Sequence, residues 1–194
     1  MGMDISGINP KMRKSINEFP ILEKWECISW GERKGKEWEE EQDQYWKEDK
    51  EYNKANSGIY FRNNCWWWRP LWHYCCVVGE DLIDEKTAIG CSYNDGNGLN
   101  DTDSMKLGIL LLTKVEDGHT EHWKNERDLY LESLPDDNCG RCNNNNRGND
   151  KKKECKSCDG KGTTENFEKH YPFEVENVRN FANFLLDSGG FEVW

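Results

Sequence analysis

No apolar stretch of this chain is long enough to span a bilayer. Its longest aliphatic run is Ile109-Leu-Leu-Leu112, whereas a spanning helix takes about 20 residues. The opening Met1-Gly2-Met3-Asp4 lacks the apolar core of a secretory signal, so no membrane association is expected. Gly2 with Ser6 fits the loose N-myristoylation pattern, but nothing else points to a lipid anchor. Basic charge is also scarce: 26 Lys and Arg stand against 37 Asp and Glu, for a net charge of −11. Binding to duplex DNA rests on a basic footprint, so duplex DNA is not an expected partner. The acidity serves solubility, and it suits a partner with a basic face. Hydrophobic residues are few, at 35%, and mean hydropathy is −1.03. Ten Trp, seven Tyr and seven Phe compensate, because each ring buries a large area. A chain of 194 residues with that composition predicts a folded protein with a small, Trp-rich core.

Cysteine is plentiful. Nine are present, and a reducing cytoplasm with free thiols at Cys27, Cys65, Cys75, Cys76 and Cys91 is the expected setting. The other four form two CxxC knuckles, Cys139-Gly-Arg-Cys142 and Cys155-Lys-Ser-Cys158. A tetrahedral zinc ion takes four soft thiolates, and each knuckle supplies two from one tight turn. The residues between them, Asn143-Asn-Asn-Asn146 through Lys151-Lys-Lys153, have nothing apolar to pack, and metal would staple such a loop. A disulfide or a redox CxxC pair is the competing reading. A thioredoxin-like motif follows a buried strand and opens a helix, a setting neither knuckle has.

The expected fold is mainly α, in the α+β sense with few short strands: a single Trp-rich helical domain with a zinc-stapled loop and an N-terminal helical insertion. Residues 1–10 read as a polar lead. Residues 11–56 are rich in alternating charge, with Trp38, Tyr45 and Tyr52 recurring every seven as a narrow aromatic stripe. Gly31 and Gly35 separate that helix from a shorter piece with Leu22, Trp25 and Ile28. Trp68, Leu71, Trp72, Cys75 and Cys76 mark one face of a further helix, with Pro70 in its first turn and Asn63 or Asn64 as cap. More helices are predicted over Asp81–Ile89, Thr102–Glu116 and His119–Leu134, the last presenting Trp123, Arg127, Tyr130 and Leu134. A final one runs through Val175–Leu185 to Ser188-Gly189-Gly190. Asn94-Asp-Gly-Asn-Gly98 reads as a turn, and Phe191–Trp194 as a short strand or docked tail. The expected main domain is 1–10 with 57–194, holding the zinc loop at 136–162, and 11–56 is the charged helical insertion.

Several motifs occur in a specific order: Met1-Gly-Met-Asp4 with Asn9-Pro10, Tyr60-Phe-Arg-Asn-Asn64 joined to Trp66-Trp-Trp-Arg-Pro-Leu-Trp72, Gly90-Cys91 with Asn94-Asp-Gly96, then the paired CxxC. Tyr171-Pro-Phe173, Glu176-Asn-Val178, Phe181-Ala182 and Ser188-Gly-Gly-Phe191 follow. This order resembles a family of uncharacterised small proteins encoded by tailed bacteriophages. The resemblance covers most of 1–10 and 57–194. In that family the lead runs almost directly into the Tyr-Phe-Arg motif, which implies that 11–56 is inserted. It further implies a phage origin and the cytoplasm of an infected bacterial host, and it carries over no catalytic residue. Cys155-Lys-Ser-Cys158-Asp-Gly-Lys-Gly162 is similar to one CxxCxGxG element of the J-domain chaperone zinc region, a likeness of turn geometry rather than of activity.

Trp68 and Trp72 are assigned to core. Trp66 and Trp67 cannot both share that face, and one of them is a candidate stacking platform. Arg62 and Arg69 are candidate partners for phosphate or carboxylate, against a structural role packed on Trp. Asn64, His73 and Asp95 complete the candidate ligand or partner set, although Asn94-Asp95-Gly96 also reads simply as a turn. His119-Thr-Glu-His122 lacks HExxH spacing and reads as an exposed helix start. Cys91 with His73 or His122 has no local support as a nucleophile and base. The expectation is therefore an accessory protein that binds a host or anti-phage defence component. The alternative is a small-ligand binder with an aromatic–Arg pocket for a nucleotide. An enzyme is the third reading.

Overall fold

The fold is mainly α with a small antiparallel sheet. The structure, a computed structural model, describes residues 2–142 and 155–194. The middle of the expected 136–162 loop therefore lies outside the described residues.

Four short strands set the frame: β1 (Gly2–Gly7), β2 (Tyr60–Asn64), β3 (Asn97–Asn100) and β6 (Gly190–Val193), in the order β2-β1-β6-β3. All pairings are antiparallel. Strand side chains alternate between faces, so Phe61, Ile5 and Val193 fall in one row and Gly7, Phe191 and Leu99 in the next. Apart from Phe61, which is half-buried, and the side-chain-free Gly7, these residues are buried. The opposite face carries Asp4, Arg62, Ser6, Tyr60 and Glu192. The predicted polar lead is thus a central strand. Met3-Asp-Ile-Ser6 alternates with period two, but a strand this short is recognisable only through its partners.

Helices α3 (Cys65–Val78), α5 (Asp101–Glu116) and α7 (Val175–Ser188) pack on the apolar face of the sheet. Asn64 accepts hydrogen bonds from the Trp66 and Trp67 amides at 3.0 and 3.1 Å and so starts α3. Pro70 therefore sits inside the helix rather than in its first turn. It has no N–H to offer the carbonyl one turn back, and its ring is buried in compensation. Trp68 and Trp72 stack with ring centroids 5.5 Å apart and planes 8° apart. Their indole N–H groups donate to the Cys91 and Ala88 carbonyls, at 2.6 and 2.9 Å. Those carbonyls belong to the end of α4 (Glu85–Gly90), which Asp84 caps. α6 (His119–Ser133) buries Thr120 and Leu131, while Tyr130 is exposed. Of the predicted face, Trp123 packs against the core and Arg127 and Leu134 are half-buried, and Thr120, which bonds the Tyr74 hydroxyl at 2.9 Å, extends it.

Residues 8–59 connect two strands that pair with each other, so they occupy the place of a hairpin loop. They hold α1 (Pro20–Glu26) and α2 (Lys36–Ala55), which share a separate cluster of Phe19, Leu22, Trp25 and Tyr45 flanked by Trp38 and Tyr52. Glu48 of α2 accepts the Ile21 and Leu22 amides at 2.9 and 3.0 Å and so caps α1 from the neighbouring helix. The ends of the excursion are clasped. Asn56 accepts from the Arg13 and Lys14 amides at 2.7 and 3.0 Å, and buried Asp187 takes Arg13 at 2.5 Å and Ser57 at 2.7 Å. The crossing is tight: a Cβ on Gly7 would stand 2.1 Å from the Gly58 carbonyl oxygen.

Two outcomes follow from this packing. Trp68→Ala should lower stability by about 3–5 kcal/mol, as truncation of a buried aromatic does, measured by chemical denaturation. Replacing 14–55 with a short Gly/Asn turn should leave one cooperative melting transition. Loss of cooperativity would place the excursion inside the main folding unit.

Candidate metal centre and aromatic face

The four knuckle cysteines converge. Strands β4 (Asp137–Asn138) and β5 (Thr163–Thr164) pair, and the Cys139 amide donates to the Gly162 carbonyl at 3.0 Å. This ladder brings the two knuckles face to face. Gly160 and Gly162 hold φ of 77° and 81°, a region costly for other residues, and the Gly162 amide thereby reaches the Cys158 sulfur at 3.2 Å. The sulfurs of Cys139, Cys142, Cys155 and Cys158 lie within 4.8 Å of one another. Cys139 and Cys155 are 3.8 Å apart, and Cys142 and Cys158 are 3.7 Å apart. A tetrahedral ion with sulfur ligands at about 2.3 Å gives edges of about 3.8 Å, so the residues fit a metal ion. A disulfide needs about 2.05 Å, and all nine cysteines are free. Backbone N–H groups of Cys142 and Arg141 hold the Cys139 thiol down to about 7, whereas burial pushes Cys142 up to about 12. A bound cation would favour the thiolate at all four positions.

The ribbon is tied to a second feature. Asp137, two residues before the first knuckle, accepts the Phe167 amide at 2.8 Å and the Asn166 side chain at 3.3 Å. Asn166 in turn accepts the Glu168 amide at 3.0 Å. These bonds fix a 3-10 turn at Phe167–His170. From the other side Arg127 of α6 donates to the Tyr171 carbonyl at 2.8 Å, and Tyr130 to Glu168 at 3.0 Å. The turn sets three rings around Trp66: Phe167 at 5.2 Å, His170 at 5.8 Å and Tyr171 at 4.8 Å. The result is an open groove of about 460 Å³ lined by Asn64, Trp66, Trp67, Phe167, His170 and Pro172.

The candidate residues divide among several places. Asn64, Trp66 and Trp67 line this groove. Arg69 and His73 line a neighbouring one of about 350 Å³ between α3 and α4, with Trp72, Cys76, Ile89 and Tyr93. Arg69 also donates to the Tyr171 hydroxyl at 2.8 Å and lies over its ring. Arg62 sits on the polar face of the sheet, 3.5 Å from Asp4, and lines neither groove. Asp95 accepts from Asn97 within its own turn. An aromatic pocket with both Arg62 and Arg69 pointing inward is therefore not assembled. Cys91 is buried and its thiol is pushed up to about 12 by burial. His122 pairs with Glu126 at 3.3 Å. Phe167, His170 and Pro172 in the first groove, and Ile89 and Tyr93 in the second, were not among the sequence candidates. The segment from Phe167 to Phe173 is nonetheless visibly dense in rings.

No protein-family model, curated protein or solved structure matches the chain. Among the described residues, no helix is long and apolar enough to cross a membrane.

Asp137→Ala should separate the two features. It should leave metal content unchanged and raise acrylamide quenching of Trp66, read against a Trp66→Phe control. Loss of metal in that variant would show that Asp137 serves the ribbon instead of the turn.

Proposed function

We propose that this chain is a phage-encoded accessory protein that acts by binding a protein of the infected bacterial host or its anti-phage defence, in the host cytoplasm, with zinc bracing the binding face. One observation carries the binding reading. Within α3, Cys65–Val78, only Arg69 and His73 are charged or basic side chains, and both lie on its outer side. Such helices are ordinarily buried all round. Here the inner face is core, while on the outer side Arg69, His73 and Val77 are exposed, Val77 by 44%, and Trp66 is half-buried against the Phe167–His170 turn. Ile89 and Tyr93, 56% and 61% exposed, extend it. An apolar patch of this kind, rimmed by polar residues, marks an interaction site. The motif order of the sequence supports the phage origin. Four thiolates at tetrahedral spacing support zinc over harder cations.

The small-ligand reading keeps one observation in its favour: Arg69 and His73 share a groove with Trp72 and Tyr93, a setting suited to an anionic ring compound such as a nucleotide. Burial of Cys75, Cys76 and Cys91 leaves these thiols protonated at neutral pH, which weighs against thiol chemistry.

Two measurements test the proposal. Protein purified without added metal should contain about one equivalent of zinc, lost in Cys155→Ser. Iron or no metal in the wild type would overturn the assignment. In capture from infected-cell lysate, Ile89→Glu and Phe167→Glu should lose a partner that the wild type retains, at unchanged melting temperature. Equal capture by both variants would remove the α3 face from the proposal.

A further inference from the structure

Resting on that reading of the α3 face, we infer that the groove between α3 and the Phe167–His170 turn takes a proline-rich segment of its partner in the polyproline II conformation. Trp25, Trp68 and Trp72 each donate their indole N–H to a protein acceptor. Among the described residues Trp66 and Trp67 have no such bond, and no buried side-chain polar atom is left without a partner, so neither N–H group is fully buried. The Asn64 side-chain oxygen is occupied by the two capping amides, which leaves its NH₂ to donate outward. Among the described residues, the side chains that line the groove therefore carry three donor groups without a protein acceptor, against one possible free acceptor in His170.

An occupant has to supply acceptors without bringing donors of its own. A proline-rich segment does so. Proline has no N–H, and polyproline II backbone carbonyls make no internal hydrogen bonds. A helix laid in the groove has its carbonyls consumed internally, and would bury the indole donors unpaired, which is unfavourable. Charge points the same way. Among the described residues no carboxylate, Lys or Arg lines the groove, and an uncharged proline run needs none. Shape agrees as well. Phe167, His170 and Tyr171 stand at 69°, 68° and 55° to the Trp66 ring, forming ridges rather than a flat stack. Aromatic ridges of this kind are what polyproline II segments dock against.

The test is a titration of the full-length, metal-loaded protein, followed by NMR of its backbone amides and its ten Trp indole N–H signals. Trp66→Phe and Trp67→Phe assign two of the indoles and remove one donor each while keeping a ring. The probes are a lysine-flanked decaproline peptide and a proline-free amphipathic helical peptide of equal charge. Decaproline should shift the Trp66 and Trp67 signals with saturation, and each Phe variant should weaken binding several-fold. Binding that is unchanged in affinity by both Phe variants would overturn the donor argument. If the helical peptide shifts the amides of Arg69 to Val77 while decaproline shifts none, the inference fails and the binding face stands. If neither peptide perturbs α3, both are overturned.

Discussion

The α3 helix buries one side in the core and leaves Arg69, His73 and Val77 exposed on the other. Its inner partner is internal: Trp68 and Trp72 stack on one another and meet the sheet and α7 through Phe191 and Phe181. Their indole N–H groups reach carbonyls at the end of α4, so the burial of two large rings leaves no polar atom stranded. The position of α4, and with it the groove along Arg69 and His73, follows from those two bonds. The outer partner is not supplied by the described residues beyond the small turn at Phe167–His170. Core packing and the exposed groove-lining residues thus draw on the same helix, one side each.

The cysteine ribbon and the aromatic groove are one mechanical unit. The four sulfurs close a ladder only two residues long on each strand, too little to hold itself together in water. With an ion bound, the ladder fixes Asp137, and Asp137 fixes the turn whose rings surround Trp66. A metal ion held by these four sulfurs would shape a surface several residues away from its own ligands.

The legible parts of the sequence were the local ones. CxxC spacing specifies its sulfur pairs within a turn, so the quartet Cys139, Cys142, Cys155 and Cys158 was readable without a fold. The division of Trp68 and Trp72 from Trp66 and Trp67 follows from helical period alone. Strands β1 and β3 were not legible as such, because four to six residues of modest hydrophobicity become strands only through neighbours far along the chain. The groove was half legible. Trp66 and Asn64 were visible as candidates, but Phe167 and His170 lie far along the chain, and bonds from Asp137, Arg127, Tyr130 and Arg69 bring them back. Arg62 shows the converse: it is close to Trp66 in sequence, yet strand alternation turns it to the other side of the sheet.

The helical excursion between β1 and β2 also bears on how fast the sheet can assemble. Closing a flexible loop costs entropy that grows with the logarithm of its length, about 0.6 kcal/mol per doubling, and that cost slows non-local pairing. Residues 8–59 form no such random loop once α1 and α2 have packed on Phe19, Leu22, Trp25 and Tyr45. Their clasped ends, Arg13 and Lys14 against Asn56, then hold β1 and β2 together as closely as a short turn would. A segment that contributes nothing to the main core can in this way shorten the search for it.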